Sequence, residues 1–111
     1  MAEVKNKEQQ INTDEQRQQY EDGLVSIITP AYNAEAYIAE TIASVLAQTY
    51  TNWEMLIVND CSQDNTAEIV QSYAAKDKRI KLINLKQNSG AAAARNTAIQ
   101  NAKGRYIAFL D

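Results

Sequence analysis

Apolar and polar positions fall into blocks from residue 24 onward, and the blocks have two different periods. Leu24 to Ile28 is a short run rich in β-branched residues, stopped by Pro30, whose ring biases Thr29 towards an extended backbone. Trp53 to Val58 reads as a strand buried on both faces, and Tyr106 to Leu110 as the last strand. Ile80 to Leu85 is weaker, with interleaved Lys81 and Asn84, and suits a sheet edge. Between these runs the period lengthens. Ile38, Ile42, Val45 and Leu46 share a helical face after Asn33, a candidate cap, and Ile69, Val70, Tyr73 and Ala74 share another. Asp64 or Asn65 caps that second helix, with Glu68 in a capping-box relation to Asn65. Ser89 to Lys103 contains a run of alanines and predicts a third helix with Gly104 as its C′ residue.

Strand and helix alternate, so the expected fold class is α/β: a Rossmann-like open parallel sheet, wound right-handedly, with helices on both faces. The first, second and fourth strands would be central. Each strand also runs into a polar group at its carboxyl end. Thr29-Pro30-Ala31-Tyr32-Asn33 follows the first, Asn59-Asp60-Cys61-Ser62 the second, Asn88-Ser89-Gly90 the third and Asp111 the fourth. In such sheets these turns line the ligand crevice, which makes this edge the expected place for chemistry.

Composition narrows the function classes. A chain of 111 residues, 45% hydrophobic, holds one domain with a core. Residues 1–22 carry three basic and six acidic groups, the whole of the formal charge of −3, and little apolar surface. They are expected to form a polar, disordered or loosely helical extension, with residues 23–111 the folded part. A neutral body without a basic stripe argues against nucleic acid as partner. Lys76, Lys78, Arg79 and Lys81 cluster with Asp77 at a helix end, which reads as a solvated last turn complementing the helix dipole.

The chain has no His, which excludes Ser-His-Asp and Cys-His catalysis and His-ligated zinc. Its single Cys61 can close no internal disulfide and suits a tight turn in a reducing compartment. No apolar run is long enough to span a membrane, and the amino terminus is too polar for a secretory signal, so a cytoplasmic location is the default.

The segments L-V-S-I-I-T-P-A-Y-N, I-V-N-D-C-S-Q-D-N-T, N-S-G-A-A-A-A-R-N-T-A and G-R-Y-I-A-F-L-D together resemble the amino-terminal half of the family 2 glycosyltransferases, which have the GT-A fold. The resemblance covers Leu24 to Asp111. It implies a partial GT-A fold of about four strands and three helices, binding a nucleotide-diphosphate sugar, commonly a UDP-sugar. Transfer to an acceptor hydroxyl on a glycan or lipid-linked acceptor would proceed with inversion, in glycan or cell-surface polysaccharide synthesis. A divalent cation, Mg2+ or Mn2+, is expected for the full-length enzyme, with peripheral membrane placement left open.

The substrate-binding residues implied are Thr29, Pro30, Ala31, Tyr32, Asp60, Arg95 and Asp111. Tyr32 offers an aromatic face to a flat base, or simply covers the first helix. Asp60, an acceptor only when ionised, can select the N3–H of uracil and reject cytosine. Arg95, on the third helix, would pair its planar fork with a phosphate or hold a carboxylate. Ser89 and Gly90 at that helix's head would add N–H groups for an anion. Asp111 resembles the first acid of the family's D-x-D motif and is the one metal-site residue implied, in an incomplete site. Asn59 departs from a position where the family often has a second acid. No catalytic residue is expected within the chain, because the second acid and the general base of the resemblance fall beyond Asp111.

Two alternatives stay open: a sugar-phosphate nucleotidyltransferase-like domain, which would normally show a Gly- and Arg-rich loop after the first strand, and a non-catalytic Rossmann-like binding or interaction module. The alternation stops with the fourth strand, so the domain is expected to be truncated there. An open edge beside Tyr106, Ile107 and Phe109, or apolar surface that later sequence would cover, then predicts self-association.

Overall fold

The computed structural model describes residues 2–6 and 21–110. In chain order the elements are β1 (Ala2–Asn6), β2 (Glu21–Ala31), α1 (Ile38–Leu46), β3 (Trp53–Asn59), α2 (Thr66–Ala74), β4 (Ile80–Asn84), α3 (Ala91–Asn101) and β5 (Gly104–Leu110). They build a five-stranded sheet in the order β1-β5-β2-β3-β4. β5, β2, β3 and β4 run parallel, with Val25 opposite Trp53, Ile28 opposite Phe109 and Met55 opposite Ile80. The expected α/β fold, its central strands and its β4 edge are all present. All seven residues of β3 are buried, as a strand covered on both faces requires.

The period of each helix determines which face it covers. Ile38, Ile42 and Val45 of α1 and Val70 of α2 pack with Ile27, Met55, Ile57 and Ile80 on one side of the sheet. On the other side α3 presents Ala94 and Ala98 to Ile28, Leu56, Val58 and Ile107. Alanines let this helix approach the sheet closely, and each fully buried isoleucine contributes about 1.5–3 kcal/mol of hydrophobic driving force.

Three expectations need correction. Residues 1–22 are not all extension: Ala2–Asn6 form β1, antiparallel to β5 with Ala2 opposite Leu110 and Asn6 opposite Tyr106, and β2 already begins at Glu21. Positions 7–20 lie outside the described residues. The β5 edge expected to be open is therefore hydrogen-bonded to β1, which removes that route to self-association. The physical reason is generic: an extended backbone can satisfy an open ladder whatever its side chains, so composition alone does not reveal it.

Gly104 is the third correction. The backbone at Ala102 is already extended (φ −75, ψ 135), and Gly104 opens β5 as a strand residue, not as a left-handed helix terminator. A Cβ there would meet the Leu24 carbonyl oxygen at 2.6 Å and the Ser26 Oγ at 2.7 Å. Glycine is needed for close approach.

That approach belongs to a buried polar network at the amino-terminal end of the sheet. Glu54, 3% exposed, accepts hydrogen bonds from Ser26 Oγ (2.6 Å), the Lys103 N–H (2.7 Å) and Lys81 Nζ (2.8 Å). Ser26 Oγ in turn accepts from the Gly104 N–H at 2.8 Å. One carboxylate thus ties β2, β3, β4 and the α3–β5 turn together. Burial pushes the Glu54 carboxyl up, but the hydrogen bonds from Lys81, Ser26 and Lys103 outweigh it and hold the group below its ordinary value of 4.5.

Two outcomes follow. Gly104→Ala should lower stability by about 1–3 kcal/mol, the usual cost of overpacking, read from the urea midpoint; an unchanged midpoint would contradict the close contact. Glu54→Gln should cost on the order of 2 kcal/mol at neutral pH. Because the folded-state value of Glu54 is depressed, its contribution is present above about pH 4.5 and is lost as pH falls through the folded value, so parent and variant stabilities should converge in acid. A constant difference across that range would count against the network.

Candidate functional site

At the carboxyl ends of β2 and β3 two loops interlock through side chains. Asn33 adopts a left-handed backbone (φ 49), a conformation Asn tolerates better than most residues. Its N–H donates to Ser62 Oγ at 2.9 Å, and its Oδ1 accepts from the Gln63 N–H at 2.8 Å. Glu35 and Asp64 make a reciprocal pair: the Glu35 N–H donates to Asp64 Oδ2 (3.1 Å) and the Asn65 N–H to Glu35 Oε2 (2.9 Å). Thr66, fully buried, accepts from the Ala34 N–H at 2.8 Å and donates to Asp64 Oδ1.

These bonds correct the capping expectations. Asn33 does not cap α1, which starts later at Ile38, and Asn65 makes no side-chain cap. Asp64 does serve the head of α2, accepting the Thr66 N–H at 3.0 Å. Partial burial acts to raise the Asp64 carboxyl, but bonds from the Thr66 hydroxyl and from the N–H groups of Glu35 and Thr66 hold it below the usual carboxylate range.

Asp60 is the joint between this edge and α3. Its N–H donates to the Ala31 carbonyl at 2.9 Å, which continues the β2–β3 ladder up to the residue before Tyr32. Asp60 is 4% exposed, and its carboxylate accepts the Ser89 N–H on Oδ1 (2.7 Å) and the Gly90 N–H on Oδ2 (2.8 Å). Asn88 Nδ2 adds a bond to the Asp60 carbonyl at 3.1 Å. Gly90 stands at φ 91, where side-chain-bearing residues are strained. Asp64 serves the head of α2, and Asp60 is the anion at the head of α3. The N–H groups of Ser89 and Gly90, expected to receive an external anion, are occupied by it. Each carboxylate oxygen retains a second acceptor site.

The other sequence-predicted residues are placed unevenly. Tyr32 is 49% exposed, whereas Thr29 and Ala31 are buried and Pro30 half-buried. Pairing of β2 with β5 is last registered at Ile28, so Pro30, lacking an N–H, lies beyond that ladder. The Thr29 hydroxyl is buried and has no hydrogen-bond partner among the described residues. Arg95 is half-buried on α3, five residues after Gly90 and so about 7 Å further along the helix axis. Asp111 lies outside the described residues.

Asn59 explains its departure from an acid. Its Nδ2 donates to Asn84 Oδ1 at 2.9 Å and its Oδ1 accepts the Ser62 N–H at 3.0 Å, joining β3, β4 and the turn that carries Asp60. Cys61, at φ 60, occupies the tight turn expected of it and directs its thiol to the Leu85 carbonyl. Among the described residues no group of three His, Cys, Asp or Glu side chains could hold a metal ion, so the described part of the site does not by itself fit a cation. The apolar cavity of about 330 Å³ under α1, lined by Val25, Val45, Trp53 and Leu110 among others, contains none of the predicted site residues.

Asn59→Asp should change stability by less than about 1 kcal/mol, since the Asn84 amide can turn its NH2 towards the new carboxylate. Adding Asn84→Asp sets two carboxylates face to face. A double-mutant cycle from urea unfolding should then show an unfavourable coupling of about 1 kcal/mol or more, and strict additivity would contradict the contact.

Comparison with known proteins gives a consistent picture. Residues 26–111 match the sequence model of the family described as Glycosyl transferase family 2. The chain is 57% identical over 88 residues to the putative teichuronic acid biosynthesis glycosyltransferase TuaG of Bacillus subtilis, covering 79% of this chain and 35% of that protein. It is 55% identical over 91 residues to the UDP-Glc:alpha-D-GlcNAc-diphosphoundecaprenol beta-1,3-glucosyltransferase WfgD of Escherichia coli, covering 82% of this chain and 35% of that one. The chain thus spans about a third of the length of these curated relatives. Among solved structures, S. aureus TarS 1-349 in complex with UDP-GlcNAc superposes with a TM-score of 0.74 at 38% identity, over 78% of this chain and 26% of that one. The mannosyltransferase PcManGT of Pyrobaculum calidifontis, in complex with GDP-Man and Mn2+, gives 0.65 at 29% identity, over 70% and 24%.

Proposed function

Since the chain belongs to glycosyl transferase family 2, we propose that its polar sheet edge is the nucleotide half of a donor site for a UDP-sugar, used by the complete protein to transfer the sugar to an acceptor hydroxyl in glycan or cell-surface polysaccharide synthesis. The observation that carries the reading is the Asp60 junction. It ties the residue before Tyr32 and the head of α3, the helix that carries Arg95, to one edge. The 38% identity to a protein solved with UDP and with UDP-GlcNAc supports uridine as the base.

In this reading Tyr32 stacks on the base, and the acceptor sites left on the Asp60 carboxylate take the uracil N3–H, at which cytosine presents an acceptor instead. In the same reading Arg95, on α3, would pair its fork with the diphosphate, whose geometry it matches. Thr29 and Ala31, being buried, would shape the floor of the base pocket. A divalent cation and the inverting step would belong to the complete protein.

Titration with UDP and with CDP, followed by backbone chemical shifts, tests the reading. UDP should perturb Tyr32, Asp60 and Arg95 and bind more tightly than CDP. Tyr32→Ala should weaken both nucleotides by about 1–3 kcal/mol, the value of one base–aromatic stack, while leaving their ratio nearly unchanged, because stacking reads the ring face and not its edge. Equal binding of the two nucleotides by the parent chain, or shifts confined to other surfaces, would overturn the donor-site reading.

A further inference from the structure

At the opposite end of the sheet, below the amino termini of β3 and β4, lies a second pocket of about 280 Å³ whose wall includes Lys78, Arg79, Lys81 and Lys103. The sequence groups only the first three, as a solvated helix end; the fold brings Lys103 to them from the α3–β5 turn. Two of the four cations are committed. Arg79 lies flat over the Trp53 ring, 3.9 Å from its centroid, and pairs with Asp77 at 2.7 Å, while Nη1 donates to the Thr51 carbonyl at 3.0 Å. Lys81 is paired with Glu54 at 2.8 Å, and that carboxylate also accepts from the Ser26 hydroxyl and the Lys103 N–H.

Lys78 and Lys103 are exposed and make no ion pair among the described residues. The pocket therefore carries two surplus positive charges in a chain whose formal net charge is −3. Trp53 and its stacked guanidinium give it a fixed wall, and Asn52 and Thr51 add neutral polar groups. A compact polyanion that accepts from two flexible ammonium groups at once matches this chemistry, and a phosphate group does so best.

We propose that this basic pocket binds a phosphate group, on a soluble compound or a phospholipid headgroup, at the end of the sheet away from the nucleotide edge. The two sites share no residue, so both can be filled together.

The test uses the full chain. Pyrophosphate is titrated while the amides of Lys78 and Lys103 are followed, and flotation is measured with vesicles of phosphatidylglycerol mixed with phosphatidylcholine and with phosphatidylcholine alone. Shifts at both lysines with retention on the anionic vesicles only would identify a lipid headgroup; shifts without retention would identify a soluble phosphate. Lys78→Glu and Lys103→Gln, both at exposed positions, should each weaken the interaction about fivefold, the factor equivalent to roughly 1 kcal/mol per basic residue near an anionic surface, and should leave UDP binding unchanged. No shift and no retention, shifts only at Tyr32 and Asp60, or variants that bind as the parent does would overturn it.

Discussion

One carboxylate decides how the crevice is built. Asp60 sits where a parallel strand buried on both faces meets polar surface, and its two oxygens take the two N–H groups at the head of α3 that no helical carbonyl can reach. A charged acceptor on two backbone donors is among the stronger hydrogen-bond arrangements, and at 4% exposure it has little competition from water. The loop carrying Ser89 and Gly90, the entry angle of α3 and hence the placement of Arg95 all depend on it. Interlocking of Asn33, Glu35, Ser62 and Asp64 does the same for the Tyr32 loop, with neutral and charged bonds that cross between two chain segments.

The opposite end of the sheet follows similar logic for a different purpose. Glu54 gathers three donors from β2, β4 and the α3–β5 turn, which makes it a structural tie. Gly104 is part of that tie, since only a residue without Cβ lets its N–H reach Ser26. Rigid packing at one edge and polar loops at the other is the division of labour expected of an open α/β sheet, where the ligand crevice lies beyond the carboxyl ends of the strands.

Much of this was legible in the sequence because it depends on period. Trp53 to Val58 has no polar interruption and became the central strand; Lys81 and Asn84 interrupt theirs, and it became the edge. The positions of Tyr32 and Asp60 at strand ends followed directly. What stayed hidden depends on partners far apart in the chain. Nothing local to Asp60 reveals that Ser89 and Gly90 come to it, nothing local to Asn33 marks it as a loop clasp and not a cap, and the sequence of Ala2–Asn6 shows no preference strong enough to announce a strand that the β5 edge induces. Glycine is common at helix ends, which is where the local sequence points Gly104; its contact with Leu24 and Ser26 is visible only once the sheet is assembled.

The measurement closest to the central claim is native-state hydrogen exchange at the Ser89 and Gly90 amides in the parent and in Asp60→Asn. Both amides donate to the carboxylate, so in the parent they should be protected beyond what an exposed loop allows. In the variant the amide NH2 replaces one acceptor; protection should fall at residues 88–90 and the first turn of α3, while β3 and α1 keep theirs. Equal protection of Ser89 and Gly90 in the two proteins would contradict the account.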